Sequence, residues 1–201
     1  MEFSIEDIVE DLTDLDLAIL QLLHASNNDS LKGEVAFQKE MFLIADYIEK
    51  IQELAKFIPH AFGPYSEVAE NEMRNLKSLG LVKEKYHEYQ ITPNGVAVLC
   101  KSKSAFTEEQ TDAIRGYKEF LNDLSRDEIL LFVYVSYPDF IEKSAVYERV
   151  IKKRIPAAVS LYKKEKVSME KAAFLAGLPV ERFLDHVQLL KNPKSVPISS
   201  S

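Results

Sequence analysis

The stretch from Phe62 to Gly95, FGPYSEVAENEMRNLKSLGLVKEKYHEYQITPNG, constrains the fold more than any other. Gly63-Pro64 marks a turn, since Gly relaxes the backbone and Pro cannot continue a helix behind it. Ser66 offers its hydroxyl to the free N–H groups of a new helix, and Glu67 and Glu70 suit that helix's positive end. Val68, Ala69, Met73, Leu76 and Leu79 follow at helical spacing. Gly80 stands where a left-handed C-cap is wanted. Leu81-Val82 starts a strand, Lys83 to Glu88 form a charged hairpin tip, and Tyr89 to Thr92 return. Pro93 then opens another helix at its first turn, capped by Thr92.

Helix, glycine, short strand, charged tip and return strand, closing on Tyr-x-Ile-Thr-x-x-Gly, together resemble the recognition helix and wing of a winged helix-turn-helix domain. The resemblance implies duplex DNA as a partner, with Arg74 and Lys77 on the helix and Lys83 and Lys85 on the wing as contacts. The local charge argues the other way. Glu67, Glu70 and Glu72 oppose Arg74 and Lys77, and Glu84 and Glu88 oppose the wing cations, whereas phosphate contacts supply most DNA affinity.

The chain has 201 residues and a formal net charge of -7, unevenly placed. Residues 1–106 hold 10 Lys+Arg and 18 Asp+Glu, and residues 107–201 hold 15 and 14. The acidic first half suits a basic partner; the second half carries the cations that a nucleic acid requires. Met1 to Asp16 has seven acidic residues and no basic one. It reads either as a short helix on the body, with Phe3, Ile5, Ile8, Val9 and Leu12 inward, or as a solvated acidic face. The N-terminus lacks the basic and apolar regions of a signal peptide, and the longest apolar run, Ile129 to Val135, is far short of a membrane span. These features predict a cytoplasmic protein without a membrane partner. The single cysteine, Cys100, excludes an internal disulfide framework and is expected as a buried thiol in a helix.

Leu15 to Ser26 reads as a core helix, and Asn27 to Ser30 as a loop. LKGEVAFQKEMFLIADYIEKIQELA then reads as one long amphipathic helix. Phe37-Gln38-Lys39-Glu40-Met41-Phe42-Leu43-Ile44 resembles the Leu-Gln-Lys-x-x-Phe/Tyr-Leu segment of the SocA-like (Panacea) antitoxin family, in which a Gly-Pro turn also follows downstream. This resemblance spans residues 17–96 and implies a link to toxin–antitoxin or similar regulatory systems.

The polar break KSKSA at 101–105 places a domain boundary. The expected organisation is a winged helix-turn-helix domain over 1–105, a helical domain over 106–190 and a disordered tail over 191–201, the whole mainly α. Thr107 caps a helix running to about Leu124. Ser125-x-x-Glu128 repeats the capping box and turns the apolar run Ile129 to Tyr134 into a helix rather than a buried strand. Lys143 to Ile155 reads as a helix, and Ala157 to Tyr162 as a short one.

In the last stretch Ala172-Ala173 allow close helix approach, Gly177 sits at a tight turn four residues after Ala173, and Phe183 anchors the helix opened by Pro179. This spacing is that of a second helix-turn-helix. The segment AVSLYKKEKVSMEKAAFLAGLPVERF also resembles a small prokaryotic antitoxin-like family with an A-x-x-L-Y and S-x-x-x-A-A-x-x-A-G core. Arg149, Lys152, Lys153, Arg154, Lys163, Lys164 and Lys171 precede or open this unit. They are the expected phosphate contacts, with Arg182 as a base reader through its forked donors.

The four histidines are scattered without metal-ligand spacing, no Gly-rich phosphate loop or G-x-S-x-G elbow occurs, and no cofactor is implied. Two functions stay open: a dimeric, DNA-binding transcriptional regulator of antitoxin-like type, or a non-enzymatic interaction module whose winged helix holds a basic, toxin-like protein instead of DNA.

Overall fold

The computed structural model describes residues 5–189. The expected tail and the N-terminal Phe3 lie outside these residues. The fold is mainly helical, as expected, with two antiparallel two-stranded sheets.

Helix α1 (Ile5–Asp11) has no fully buried side chain; Ile5, Ile8 and Val9 pack half-buried on the core, and the Glu6 carboxylate meets Lys101 at 2.6 Å. Thr13 then caps α2 (Asp14–Asn28) in a capping box with Asp16. The regular part of α2 stops at Ala25, after which Ser26, Asn27 and Asn28 all take left-handed backbone. Short polar side chains tolerate that region better than apolar ones do. Leu31 next forms a single antiparallel bridge with Tyr89.

The long helix expected from residue 31 onward is two helices, α3 (Gly33–Tyr47) and α4 (Glu49–Ala55). Between them Ile48 turns to extended backbone (φ -114°, ψ 98°) while its side chain stays buried at 2% exposure. A buried apolar residue at the break lets α4 turn onto α2 and onto the helix Glu67–Ser78, while α3 packs on the helices Glu108–Leu121 and Arg126–Ser136.

The Gly63-Pro64 turn is also different. β1 (Ile58–His60) pairs with β2 (Gly63–Tyr65), so Gly63-Pro64 lie in a strand and the chain reverses at Ala61-Phe62. Pro59 faces Pro64 in this pair; neither donates a backbone hydrogen bond, which limits it to a stub. Gly63 is required here twice over: its φ is +84°, and a Cβ would lie 2.8 Å from the Tyr134 ring.

Ser66 caps α5 (Glu67–Ser78), and β3 (Val82–Lys85) pairs with β4 (Glu88–Ile91) in register from Val82–Ile91 to Lys85–Glu88. The ladder is longer than expected and only Tyr86-His87 form the tip. Leu79, grouped with the inward positions by spacing, is 39% exposed because α5 ends before it. Thr92 caps α6 (Pro93–Lys101), with Pro93 in its first turn. Gly95 brings α6 against the sheet. A Cβ there would fall on the Leu81 carbonyl and 2.7 Å from the Ile91 side chain. Gly95→Ala is expected to destabilise the fold by about 1–3 kcal/mol, the usual cost of overpacking, measured as a lower urea midpoint. Cys100 is exposed, not buried, at the outer end of α6.

Helix α7 (Glu108–Leu121) and helix α8 (Arg126–Ser136) open on the two capping boxes read from Thr107 and Ser125. α7 ends three residues short of Leu124. α7 packs on α2 and α3, and α8 on α3, so a single apolar cluster runs across the break at 101–105. A 3-10 turn (Pro138–Phe140) follows.

The helix expected over 143–155 begins only at α9 (Tyr147–Lys152) and stops at Lys153 (φ -104°, ψ 11°). Pro156 explains the break. It has no N–H for a continuing helix but is tolerated in the first turn of a new one, α10 (Arg154–Lys163). Ser168 caps α11 (Met169–Ala176), Gly177 ends it in left-handed conformation (φ 68°), and α12 (Val180–Leu189) carries Phe183 and Val187 inward.

Candidate functional site

The residues singled out for DNA contact fall into three groups. On α5 and the wing, Arg74 donates to Asn71 and Glu70, and Lys77 pairs with Glu84 at 2.8 Å and lies over the Tyr89 ring. Lys85 sits 5.1 Å over the Tyr86 ring. Lys83 is exposed on β3, with no partner among the described residues. The hydrogen bond between Tyr65 and Glu70, aided by burial, pushes the Tyr65 hydroxyl up to about 12 and fixes a further carboxylate of this helix.

The wing tip is strained. Tyr86 (φ 54°) and His87 (φ 62°) occupy the left-handed pair of a tight hairpin turn that favours Asn-Gly. Tyr86 is 85% exposed, so little beyond the Lys85 contact repays its conformation. Tyr86→Asn with His87→Gly is expected to stabilise the fold by about 1–2 kcal/mol, read as a higher unfolding midpoint. If the tip is a recognition element, the same variant binds its partner less well.

The C-terminal cations are the second group, and most serve the fold. Arg149 and Lys153 both meet Asp127 at 3.1 Å. Lys164 meets the buried Glu128 at 2.8 Å and also donates to the Asp123 carbonyl. Burial raises the Glu128 carboxyl, but hydrogen bonds from Lys164, Ser160 and Ser125 outweigh it and hold it below the usual range. Lys166 pairs with Asp123 at 2.8 Å. Arg154 donates from Nε to the Leu175 carbonyl at 2.9 Å and from its terminal nitrogen to that of Phe174, capping α11. Its guanidinium covers Gly177, where a Cβ would lie 2.5 Å from it. Lys171 donates to Ser136 Oγ and lies over the rings of Phe132 and Phe174.

The third group is small. Lys152, Lys163 and Arg182 have no partner among the described residues. The outer face of α12 that carries Arg182 is apolar and acidic: Val180, Leu184 and Leu189 are exposed, beside Glu181 and Asp185.

A buried polar cluster stands apart from all the residues singled out by sequence. Gln38, Lys39 and Glu40 are all buried inside α3. Gln38 donates to the Ser66 carbonyl at 3.0 Å and accepts from the Ser66 N–H at 2.8 Å. Lys39 Nζ donates to the Pro64 carbonyl at 2.7 Å, and burial brings its ammonium down to about 7. The segment 37–44 and the Gly-Pro stretch, which carry the SocA-like resemblance together, are therefore in direct contact. Glu40 has no hydrogen-bond partner on either oxygen, and burial pushes its carboxyl well above the usual range. The opposing charge is the equally buried Lys118 of α7, which donates to the Leu23 and Ala25 carbonyls at 3.0 and 2.9 Å. The available signal was three polar residues in a row inside an apolar helix.

Comparison with protein-family models, with curated proteins and with solved structures finds no match for this chain. Among the described residues no helix is long and apolar enough to cross a membrane.

Proposed function

We propose that this chain is an antitoxin-like regulatory module of winged-helix type, whose acidic N-terminal half receives a basic protein partner. The observation that carries this reading is the disposition of charge. Glu10 and Asp11 of α1 lie exposed, although Glu6 is held by Lys101, whereas Arg149, Lys153, Arg154, Lys164 and Lys171 are all held by groups of the chain itself. A duplex gains affinity by releasing counterions from phosphates that meet unengaged cations, so the C-terminal cluster offers it less than its composition promises.

The order of elements favours a second reading, a dimeric regulator bound to duplex DNA. Helix α2, the Leu31 bridge to Tyr89, α3, α5 and the β3–β4 hairpin come in the order that a winged-helix reading expects, with α4 and the β1–β2 stub inserted before α5, and Lys83, Lys85, Tyr86 and His87 stand exposed on the hairpin.

Fluorescence anisotropy on random-sequence duplex DNA at two salt concentrations separates the two. The partner reading expects weak binding at low salt and none at physiological salt. Binding that persists and falls steeply with salt overturns it. In that case Lys152→Glu with Lys163→Glu should reduce the salt slope by about two, one for each phosphate no longer neutralised, if the C-terminal half is the site. Lys83→Glu with Lys85→Glu should do so if the wing is.

A further inference from the structure

Between α1, the start of α2 and α5 the fold leaves a groove of about 360 Å³. Its lining includes Ile8, Leu12, Leu76 and Leu79, apolar groups one helical turn apart on α1–α2 and on α5. Leu79 stays 39% exposed there and Ile8 and Leu12 are half-buried, while Leu76 is fully buried. The groove therefore leaves part of its apolar lining, chiefly Leu79, uncovered by the chain.

The rim has one sign of charge. Asp11, Asp16 and Glu72 line it, and no Lys or Arg among the described residues pairs with any of the three. Asp16 accepts from Thr13 in its capping box, and Glu72 accepts from Asn75. Glu72 and Asp16 are close enough to share a hydrogen bond, carboxyl to carboxyl. Burial first, then the Asp16 charge, pushes the Glu72 carboxyl up. Two carboxyl groups held together over an apolar floor are an unfavourable arrangement that an inserted ammonium or guanidinium relieves. Among the described residues no three such groups are placed to hold a metal ion, so the cation that fits is an organic one.

We infer that this groove seats a cationic amphipathic helix of a protein partner, with a lysine or arginine between Glu72 and Asp16 and the apolar face on Ile8, Leu12 and Leu79. The inference rests on the protein-partner reading above and gives it a place and a chemistry. Charge complementarity selects the occupant, and the paired apolar rows select a helix, whose anchors recur at the same spacing.

The test uses the full chain and a synthetic Leu/Lys amphipathic helix, with a Leu/Glu helix of the same pattern as control. Methyl NMR reads where the peptide binds, and calorimetry reads how tightly. Expected are shifts at Ile8, Leu12 and Leu79 with the Lys peptide only, and about tenfold weaker binding in Glu72→Gln with Asp11→Asn. These near-isosteric changes are exposed or half-buried, and an unchanged unfolding midpoint will show that the fold is kept. Shifts confined to another surface, or affinity unchanged in the variant, overturn the groove and leave the partner reading standing. Shifts at the groove on concentrating the chain alone assign it to a second copy and overturn the inference. No peptide binding anywhere, with DNA binding that survives salt, overturns both.

Discussion

Lys118→Ala is expected to cost about 2–4 kcal/mol of folding stability, from two buried carbonyls left without a donor and from the packing of the lost side chain. Lys118 is wholly buried, bonds the Leu23 and Ala25 carbonyls where α2 breaks, and is the charge opposing Glu40. Alanine leaves two carbonyls without a donor and Glu40 without a counter-charge. The loss should grow with pH only above the raised value that Glu40 has in the unaltered fold, because below it both folds keep the proton that the unfolded chain has lost. Glu40→Leu in the same chain should return part of the loss by removing the acid. About 1–3 kcal/mol should persist, because the two carbonyls stay unsatisfied. Urea unfolding at pH 5 and pH 8 measures both variants beside the unaltered chain. Full recovery in the double variant would mean that Lys118 acts only as a counter-ion.

Lys39 and Lys118 are expected to make the stability of the unaltered chain rise from about pH 7 to pH 10, opposed by Glu40 for as long as the fold holds its proton above the ordinary carboxylate range. Lys39 and Lys118 are brought down to about 7 and about 8, chiefly by burial, from an ordinary lysine value of 10.5. Above each folded value the unfolded chain still binds the proton and the folded chain does not. Their contribution to stability therefore increases with pH, by on the order of 1 kcal/mol per unit for each lysine. The rise should end near pH 10, where Tyr65 and Tyr89, both pushed up to about 12, begin to act in the opposite sense. Urea midpoints at pH 7, 8, 9 and 10 test this, and Lys39→Met should remove the Lys39 share of the slope. A slope unchanged in Lys39→Met would mean that Lys39 keeps its proton in the fold.

Elements with chemical end signals were legible in the sequence. Ser66, Gly80, Thr92 and Pro93 delimit α5, the hairpin and α6 in the fold where their chemistry predicts. Ser125 and Glu128 decided correctly for a helix over an apolar run that could equally have been a strand. The elements missed had no local mark. Ile48 breaks a helix because of what it packs on, and the β1–β2 stub joins two proline-bearing segments whose pairing is tertiary. The candidate site divides in the same way. A run of cations is visible in the sequence, but the acids that hold it, Asp127 and Glu128, come from α8, more than twenty residues earlier. The groove beside α5 was foreshadowed only by the acidity of the first sixteen residues, since its walls come from three helices.

The Asp127–Glu128 pair has a consequence for how this sequence can drift. A surface lysine that served only solubility would be free to become glutamate or serine at random. Here Asp127 answers to Arg149 and Lys153 together, and Glu128 to Lys164. Among relatives, position 164 should lose its charge chiefly where position 128 has become apolar, because a buried carboxylate left alone is the costlier error. Positions 152, 163 and 182 are under no such constraint within the described residues, so any persistence of cations there across relatives would measure selection by a partner rather than by the fold.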